Sequence, residues 1–491
     1  MALDQMAIRR IGARGASVGM LLTIAGIALG LRSAGAATIT VTGNGDTVAI
    51  DGRVTLREAI TSINNGANVD ADVVALGAYG TNDTILFNLT SPLIKLTSNM
   101  ELPITKDMTI SGPAIGLVAV DGNNATRVFD NFFGVTLTMS NLTIQNGLSN
   151  QGGGIWNDGT ANLTNCIIDH NVANDGGGFF NEGSSTATLI KCTLSNNTAT
   201  TGTGGGFYNT NFATLIDCTL SNNTATAGNG GGFWNNESAT ITGCTFSGNK
   251  APNGDGGGLF NGTPNMTVTN CTFSGNSAAN GGGFKNESTA TMANCTFSGN
   301  SATGVGGGIF NSNDLTLINT IAANSTSGQD CFNNGSINGS TPGTPGGGDH
   351  NLIESDTVNN MGTNRCSDGM NGDIVGTDPL LAPLGNYGGP TQTFALCEGP
   401  GVPDASCIGR SPAIDAGDDA VTGPPLNLTT DQRGLPRLAG QHVDIGSFEV
   451  QPQTPHLAPA LSTIGLTILG ALLGAFGWRR ARTRQILLPT P

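Results

Sequence analysis

Carboxylates that could act as acid and base recur along the middle of the chain. Asp169 and Asp175 lie close together in the sequence, and Glu182, Glu237 and Glu287 each follow the asparagine of a repeated motif. A glycoside hydrolase needs two neighbouring carboxyl groups, one to protonate the leaving oxygen and one to act as base or nucleophile. The three glutamates fall on repeats that are not adjacent. The pattern favours a protein without enzymatic activity and keeps a polysaccharide hydrolase as the alternative.

A lyase acting on an acidic polysaccharide is a further alternative, and it requires basic side chains. Such an enzyme uses a base to remove a proton and cations to neutralise the carboxylates of the substrate. No Arg occurs between Arg127 and Arg365, and Lys191, Lys250 and Lys285 are widely separated. The repeats therefore favour a non-enzymatic role over a lyase.

Residue types that bind metals are also present, but their spacing does not predict a metal site. Asp175 and Asp255 lie beside glycine triplets, where calcium could bind, yet only these two of seven repeats carry such an aspartate. No Cys-x-x-Cys pair occurs, and His170 is interpreted as a surface turn residue. We predict no dedicated metal site and no cofactor.

Internal repetition is the strongest signal in the chain, which has 75 glycines among 491 residues and 11% charged residues. Glycine triplets followed by an apolar residue, any residue and asparagine begin at Gly152, Gly176, Gly204, Gly230, Gly256, Gly281 and Gly306. Each repeat contains short β-type segments, such as residues 213–216 and 239–242, separated by Gly, Asn and Ser. A unit of ~25 residues with three short strands matches one coil of a parallel β-helix, in which coils rise by ~4.8 Å. The leucine framework of leucine-rich repeats is absent. The sequence predicts an all-β fold, a right-handed parallel β-helix.

Stacked coils place equivalent residues above one another in ladders. One apolar column comprises Ile155, Phe179, Phe207, Phe233, Leu259, Phe284 and Ile309, and an asparagine column follows two residues later at Asn157, Asn181, Asn209, Asn235, Asn261, Asn286 and Asn311. A second apolar column comprises Ile168, Leu194, Leu220, Phe246, Phe273, Phe297 and Ile321, and its asparagines are Asn171, Asn197, Asn223, Asn249, Asn276, Asn300 and Asn324. We predict that the amides hydrogen-bond from coil to coil and line the turns.

The residues between the first apolar and asparagine columns face outward by strand parity and form a stripe. They are Trp156, Phe180, Tyr208, Trp234, Phe260, Lys285 and Phe310. Six of the seven are aromatic, and we expect an exposed stripe. One interpretation is that the rings stack and stabilise the solenoid by ~0.5 to 1.5 kcal/mol per pair. The other is that the six aromatic residues form a binding surface for a glycan or a partner protein.

The ten cysteines fall into two groups. Cys166, Cys192, Cys218, Cys244, Cys271 and Cys295 recur once per repeat. They suit buried thiols in the narrow core, although disulfides between coils are compatible with the ~4.8 Å spacing. The other four, Cys331, Cys366, Cys397 and Cys407, lie in loop-rich sequence. In an oxidising compartment we expect the pairings Cys331 to Cys366 and Cys397 to Cys407.

Both ends of the chain carry targeting signals. Residues 1–37 resemble a secretory signal peptide, with arginines, an apolar run and a small-residue stretch. Residues 451–460 form a Pro-rich linker, residues 461–478 an apolar run long enough to span a bilayer, and residues 479–491 an Arg-rich tail that is expected in the cytoplasm. The net charge of -15 argues against nucleic-acid partners. We predict a monomeric bacterial protein, exported and held to a membrane or cell surface by this helix.

Two further segments carry family resemblances. Residues 55–60, Thr-Leu-Arg-Glu-Ala-Ile, resemble the opening motif of the CSLREA-type secreted β-helix proteins, although Val54-Thr55 replaces the Cys-Ser of the name. Thr55 and Glu58 also form a capping box ahead of a short amphipathic helix, so residues 38–81 are predicted to cap the solenoid. The repeats of residues 82–330 resemble those of chlamydial polymorphic outer-membrane proteins, which are adhesin-like.

Downstream of the repeats, residues 331–377 are irregular and loop-rich, and residues 378–450 resemble the module called choice-of-anchor Q. The resemblance rests on residues 378–381, 386–391, 411–417, 430–434 and 444–449. It implies surface display without an established biochemical activity. Pectate lyases and polygalacturonases share the predicted fold, and for that reason the enzymatic alternative is kept.

Overall fold

The computed structural model describes residues 36–114, 116–339, 349–355, 366–367, 369 and 371–452. These residues form a parallel β-helix whose strands lie in four sheets, named I to IV in the order in which one coil passes through them. In the coil that begins at Ile155, the four strands are Ile155–Asn157, Thr160–Thr164, Ile167–Asp169 and Val172–Ala173. The predicted all-β parallel solenoid is confirmed.

Corresponding strands of successive coils pair in parallel throughout. Sheet I consists of Leu102–Ile104, Phe129–Asn131, Ile155–Asn157, Phe179–Asn181, Phe207–Asn209, Phe233–Asn235, Leu259–Asn261, Phe284–Asn286, Ile309–Asn311 and Cys331–Asn333. Sheet II consists of Thr38–Val41, Asp83–Phe87, Met108–Ser111, Thr136–Ser140, Thr160–Thr164, Thr186–Ile190, Phe212–Ile216, Ala239–Thr242, Met266–Thr269, Ala290–Ala293, Asp314–Ile318 and Ser336–Ile337.

The other two sheets close the coil. Sheet III consists of Leu93–Lys95, Val118–Asp121, Leu142–Gln145, Ile167–Asp169, Thr193–Ser195, Thr219–Ser221, Thr245–Ser247, Thr272–Ser274, Thr296–Ser298, Ile321–Ala323, Leu352–Ile353 and Ile374–Val375. Sheet IV consists of Val172–Ala173, Thr198–Ala199, Thr224–Ala225, Lys250–Asp255, Ser277–Asn280 and Ser301–Ala302. Coils therefore continue past residue 330, the predicted end of the repeats.

The first predicted pair of ladders is confirmed. Every residue of the apolar column from Ile155 to Ile309 is fully buried, because alternate residues of each strand point into the core. The asparagines beside them are also fully buried, and each amide donates to the next one, as in Asn181 Nδ2 to Asn209 Oδ1 at 2.8 Å and Asn209 Nδ2 to Asn235 Oδ1 at 2.8 Å. The buried amides are thus satisfied within the ladder.

The second pair of ladders is confirmed for Ile168 to Phe297 in the apolar column and for Asn171 to Asn300 in the asparagine column. The last predicted members, Ile321 and Asn324, are wrong. Ala322, and not Ile321, pairs with Phe297. Ile321 pairs with Thr296, so its side chain points away from the core and packs against the C-terminal part of the chain. Asn324 is exposed and donates to the Ser298 hydroxyl at 3.3 Å. A one-residue shift in register at this coil moves both side chains to the opposite face.

The six cysteines of the repeats are free and buried, in agreement with the interpretation as core thiols. Each lies at the corner between sheets II and III, where its Sγ donates to backbone carbonyls such as that of Thr242 for Cys244, at 3.4 Å. Burial is the main reason that the pKa of the Cys218, Cys244 and Cys271 thiols is raised well above the ordinary value. These thiols therefore remain protonated.

The predicted amphipathic helix is present as helix α1, Leu56–Asn65. The capping box is confirmed, since the Thr55 side chain accepts from the backbone N–H of Glu58 and the Glu58 side chain accepts from that of Thr55. Arg57, on the same helix, is paired with the buried Asp46 at 2.7 Å and donates to the carbonyl of Glu101. These contacts tie the helix to the first coils.

Residues 378–450, the C-terminal segment, fold back onto the last coils. The regular structure of this segment consists of isolated β-bridges and the 3₁₀ helix Asp419–Thr422. Gln432 lies on sheet III, where it accepts from the Thr272 hydroxyl at 2.6 Å and donates to that of Thr245 at 3.1 Å. Arg437 is fully buried and donates to Asn270 Oδ1 at 2.6 Å. The segment is therefore fixed to the solenoid by specific polar contacts.

Buried charges surround Arg437 inside this segment. Glu449 Oε2 lies 3.9 Å from the guanidinium, and both side chains are inaccessible to solvent. Burial, reinforced by the nearby Asp444 carboxylate, raises the pKa of Glu449 to about 8. Burial likewise raises the pKa of Asp444 to about 6.

Both predicted disulfides are present, Cys331 to Cys366 and Cys397 to Cys407. They indicate an oxidising environment. The predicted leader, apart from Ala36 and Ala37, and the apolar run of residues 461–478 lie outside the described residues. Among the residues that are described, no helix has the length and apolar character needed to cross a membrane.

Candidate functional site

The outward face of sheet I carries the predicted aromatic stripe. The strands pair in the expected register, with Trp156 beside Phe180 and Tyr208 beside Trp234. The column is longer than predicted, because Asp130 precedes Trp156 and Phe332 follows Phe310. The strand parity behind the prediction is therefore correct.

The expected exposure of the stripe is wrong for part of it. Phe180 and Phe260 are only 2% and 4% exposed, and Lys285 is 3% exposed. Trp156, Tyr208, Trp234 and Phe310 are half-buried. Alternation along a strand gives the direction of a side chain, but neighbouring coils and turns determine how much of it solvent reaches.

Stacking between coils is one cause of this burial. The rings of Phe180 and Tyr208 lie 4.4 Å apart and 7° from parallel, and those of Tyr208 and Trp234 lie 4.3 Å apart. The glycine triplets are another cause. Gly204 has a φ of +67°, and a Cβ added to it would lie 2.9 Å from the Cβ of Tyr208. Glycine thus allows the backbone to pack against the edge of the stripe.

Cations lie over two rings of the stripe. The Arg127 guanidinium lies 4.6 Å from the centre of the Trp156 ring, and Lys285 Nζ lies 3.3 Å from that of Phe310. Burial lowers the pKa of Lys285, while Glu287 and Asp255 oppose that shift. The rings of Phe180, Tyr208 and Trp234 stack on one another, and Trp156 and Phe310 each have a cation over one face, so these five rings present fewer free faces to solvent.

Carboxylates border the stripe near Tyr208. Asp158 and Glu182 follow the asparagines of adjacent coils, and their backbone N–H groups donate to the carbonyls of Asn131 and Asn157. Burial, with the carboxylates of Asp175 and Glu182, raises the pKa of Tyr208 to about 12. The phenol is therefore a protonated donor with carboxylates nearby.

The carboxylates proposed from the sequence are only partly brought together. Glu182 has a neighbouring carboxylate in Asp158, which the sequence analysis missed although it occupies the equivalent position one repeat earlier. Asp169 lies on sheet III, away from Asp175. Burial would raise the pKa of Asp169, but hydrogen bonds from Ser195, Asn196 and His170 outweigh it and lower the pKa below its ordinary value. The Asp169 carboxylate is thus already hydrogen-bonded to neighbouring side chains.

A second charged group, also missed, lies at the start of the stripe. Arg127 Nη1 is 2.9 Å from Glu101 and 3.5 Å from Asp130. Burial raises the pKa of Asp130 to about 6. The positive charge of Arg127 opposes this rise, and the negative charge of Glu101 adds to it. A cavity of about 700 Å³ lined by Met100, Glu101 and Pro103 adjoins this group. In the described part of the chain, no group of three or more His, Cys, Asp or Glu side chains is arranged to hold a metal ion.

One family model and one solved structure are similar to this chain. Residues 206–342 match the family model described as right handed beta helix region. The crystal structure of pectate lyase Pel9A is similar at 13% sequence identity, covering 84% of this chain and 96% of that chain with a TM-score of 0.46. No curated protein matches the sequence. The matched repeats and the parallel coils of the structure support a β-helix fold for this chain.

Proposed function

We propose that this chain is an exported, surface-displayed β-helix protein without enzymatic activity, and that the sheet I face binds a neutral or amine-bearing glycan. The observation that carries the proposal is the position of Tyr208. Its ring stacks at 4.4 Å on Phe180, two residues before Glu182, and Asp175 accepts from the backbone N–H of Thr203 at 2.9 Å, beside the glycine triplet that packs against Tyr208. Carboxylates accept hydrogen bonds from sugar hydroxyls, and a phenol donates one in return.

The aromatic stripe contributes to this function in a limited way. Since the faces of Phe180, Tyr208 and Trp234 are stacked on each other, a sugar meets ring edges beside the carboxylates. Selectivity then rests on hydrogen bonds and charge. Asp158, Asp175 and Glu182 repel a uronate and attract an amino sugar. This charge pattern favours a neutral or cationic ligand over an acidic polysaccharide.

A polysaccharide hydrolase is the second candidate, and one observation favours it. Asp158 and Glu182 lie on adjacent coils, as a pair of catalytic carboxylates would. A lyase for acidic polysaccharides has less support, because Arg127 and Lys285 are already engaged by carboxylates and rings. Release of reducing ends from neutral polysaccharides, abolished by Asp158→Asn, would replace the binding proposal with the enzymatic one.

Binding of the full chain to an array of neutral, amino-sugar and uronate glycans tests the proposal. In the variant Asp175→Asn with Glu182→Gln, we expect affinity for the bound glycan to fall at least about tenfold, the loss of one charged hydrogen bond. A control with Glu237→Gln and Asp314→Asn removes the same charge from other coils and should bind like the parent. Equal loss in both variants, or no glycan bound at all, would contradict the proposal.

Export and anchoring are part of the same proposal. The two disulfides support passage through an oxidising compartment, and the apolar run of residues 461–478 with its Arg-rich flank supports a membrane anchor. Truncation after Gln451 should move the protein from the membrane fraction to the soluble fraction. Identical partitioning of truncated and full-length chains would exclude this anchor. We also propose that helix α1 covers the first coil and that the protein is monomeric.

A further inference from the structure

The outward face of sheet II carries an in-register column of threonines. Eleven successive coils contribute Thr38, Thr84, Thr109, Thr138, Asn162, Thr188, Thr214, Thr240, Thr267, Thr291 and Thr316. Ten of these are threonine and one is asparagine. Strands favour Val, Ile and aromatic residues as well as threonine, yet none occurs in this column. Strand propensity alone does not account for it.

The two flanking columns extend the pattern sideways. Outward residues two positions apart form Thr-x-Thr in several coils, as in Thr136 with Thr138, Thr186 with Thr188, and Thr240 with Thr242. Beyond Thr242 the C-terminal segment covers part of sheet II, where Ala293 packs against Val421 and Val443. We therefore call the outward residues of sheet II from Thr136 to Thr242, which also include Ile190, Phe212 and Ile216, the threonine face. None of them is charged, although the chain as a whole has a net charge of -15. An uncharged face in an acidic protein suits an uncharged partner.

The hydroxyls of the central column are available for binding. Thr291 and Thr316 line a cavity with Val421 and Leu426 of the C-terminal segment. From Thr109 to Thr267, the threonine side chains make no hydrogen bond to other protein groups in the described chain. They are half-buried or exposed, and they alternate with core residues such as Leu189 and Leu215, which are fully buried. β-Branched side chains have restricted χ1 rotamers, so methyls and hydroxyls are held at fixed positions. The face is a rigid array of equivalent hydroxyls.

We propose that the threonine face binds ice. Its hydroxyls repeat at ~4.8 Å between coils and at ~6.6 Å along a strand, which is two residues of parallel sheet. The prism face of hexagonal ice exposes oxygen atoms in a rectangular array of similar dimensions. Hydroxyls at these positions hold water in an ice-like layer, and the methyls between them exclude disordered water. The inference is independent of the glycan proposal, which concerns sheet I.

Inhibition of ice recrystallisation and enrichment in growing ice, both measured on the full chain, test this inference. The variant Thr188→Lys with Thr214→Lys places two long, charged side chains in the centre of the face. We expect the variant to inhibit recrystallisation more weakly, so that the protein concentration needed to halve recrystallisation rises at least about tenfold. The matched control is Thr193→Lys with Thr219→Lys, which alters the outward face of sheet III in the same two coils and should keep the parent activity.

Circular dichroism and thermal melting establish that both variants remain folded. The inference is overturned if the folded parent neither inhibits recrystallisation nor enters ice. It is also overturned if the two variants lose activity equally, or if the threonine face binds a crystalline polysaccharide such as chitin and not ice.

Discussion

The coil stack and the C-terminal segment are stabilised in opposite ways. In the stack, each coil repeats the same contacts, such as the buried amide bonds between Asn181, Asn209 and Asn235. In the C-terminal segment, single residues make contacts that occur once. Gln432 reaches two threonines of sheet III, and Arg437 is buried against Asn270 and Glu449. Stability is therefore distributed in one region and concentrated in a few side chains in the other.

This difference determines how each region responds to change. A repeated contact can be lost at one coil while its neighbours keep theirs, because the free energy of a solenoid is approximately a sum over coils and their interfaces. A buried contact that occurs only once has no substitute. We therefore expect the most damaging substitutions to lie in the less regular region.

The largest effect is expected for Arg437→Ala. The substitution removes a buried guanidinium and leaves Asn270 and Glu449 without their partner, which should cost the docked segment about 3 to 5 kcal/mol. Hydrogen exchange should show opening of residues 378–450 while the coils stay protected. Arg410→Ala, at a side chain that is 58% exposed, is the control and should change little. Equal protection in both variants would refute a concentrated interface.

A smaller effect is expected for Asn209→Leu in the coil stack. The change leaves Asn235 Oδ1 buried without its donor and Asn181 Nδ2 with only the Phe212 carbonyl as acceptor, at a cost of about 2 to 3 kcal/mol. Because coils contact only their neighbours, hydrogen exchange should rise in the two adjacent coils and not at Asn286. Loss of protection along the whole column would show that the amides act as one cooperative unit.

The pH dependence should also separate the two regions. The pKa of Glu449 is raised to about 8 from 4.5, so its stabilising contribution is complete below pH 4.5 and is lost as pH rises through 8. Asp444, at about 6, acts in the same direction. We expect docking of the C-terminal segment to weaken by about 1 to 3 kcal/mol between pH 5 and pH 9. Glu449→Gln should reduce this dependence, whereas protection of the coils should stay constant.

The smallest effect is expected from deleting a coil that, among the described residues, makes no hydrogen bond to the C-terminal segment. Removal of residues 193–218 joins Cys192 to Thr219, which restores the sequence Cys-Thr at the junction. The melting midpoint should fall by less than about 5 °C. Removal of residues 221–246 also takes away Gly243 and Thr245, which bind Thr391 and Gln432. That variant should fold with its C-terminal segment released, as limited proteolysis would show.

The regularity of the coils explains what the sequence could predict. Periodic glycines, asparagines and cysteines revealed the ladders, and Thr55 with Glu58 revealed helix α1. The register error at Ile321 arose where the repeat loses its cysteine, since Thr320 occupies that position. The burial of Phe180 and the docking of Arg437 depend on contacts between distant residues, which no local pattern encodes. The threonine column was readable from the repeats but resembles ordinary strand sequence.

The six free thiols could form incorrect disulfides before the chain has folded. Neighbouring ladder cysteines lie one coil apart, a separation that a disulfide can bridge, and the chain also contains two disulfides that indicate an oxidising environment. Each new coil covers the thiol beneath it, so a stack that grows from one end offers oxidants only the cysteine at its growing edge. Folding coil by coil from one end would therefore protect the chain from the incorrect cross-links that the spacing of its cysteines permits.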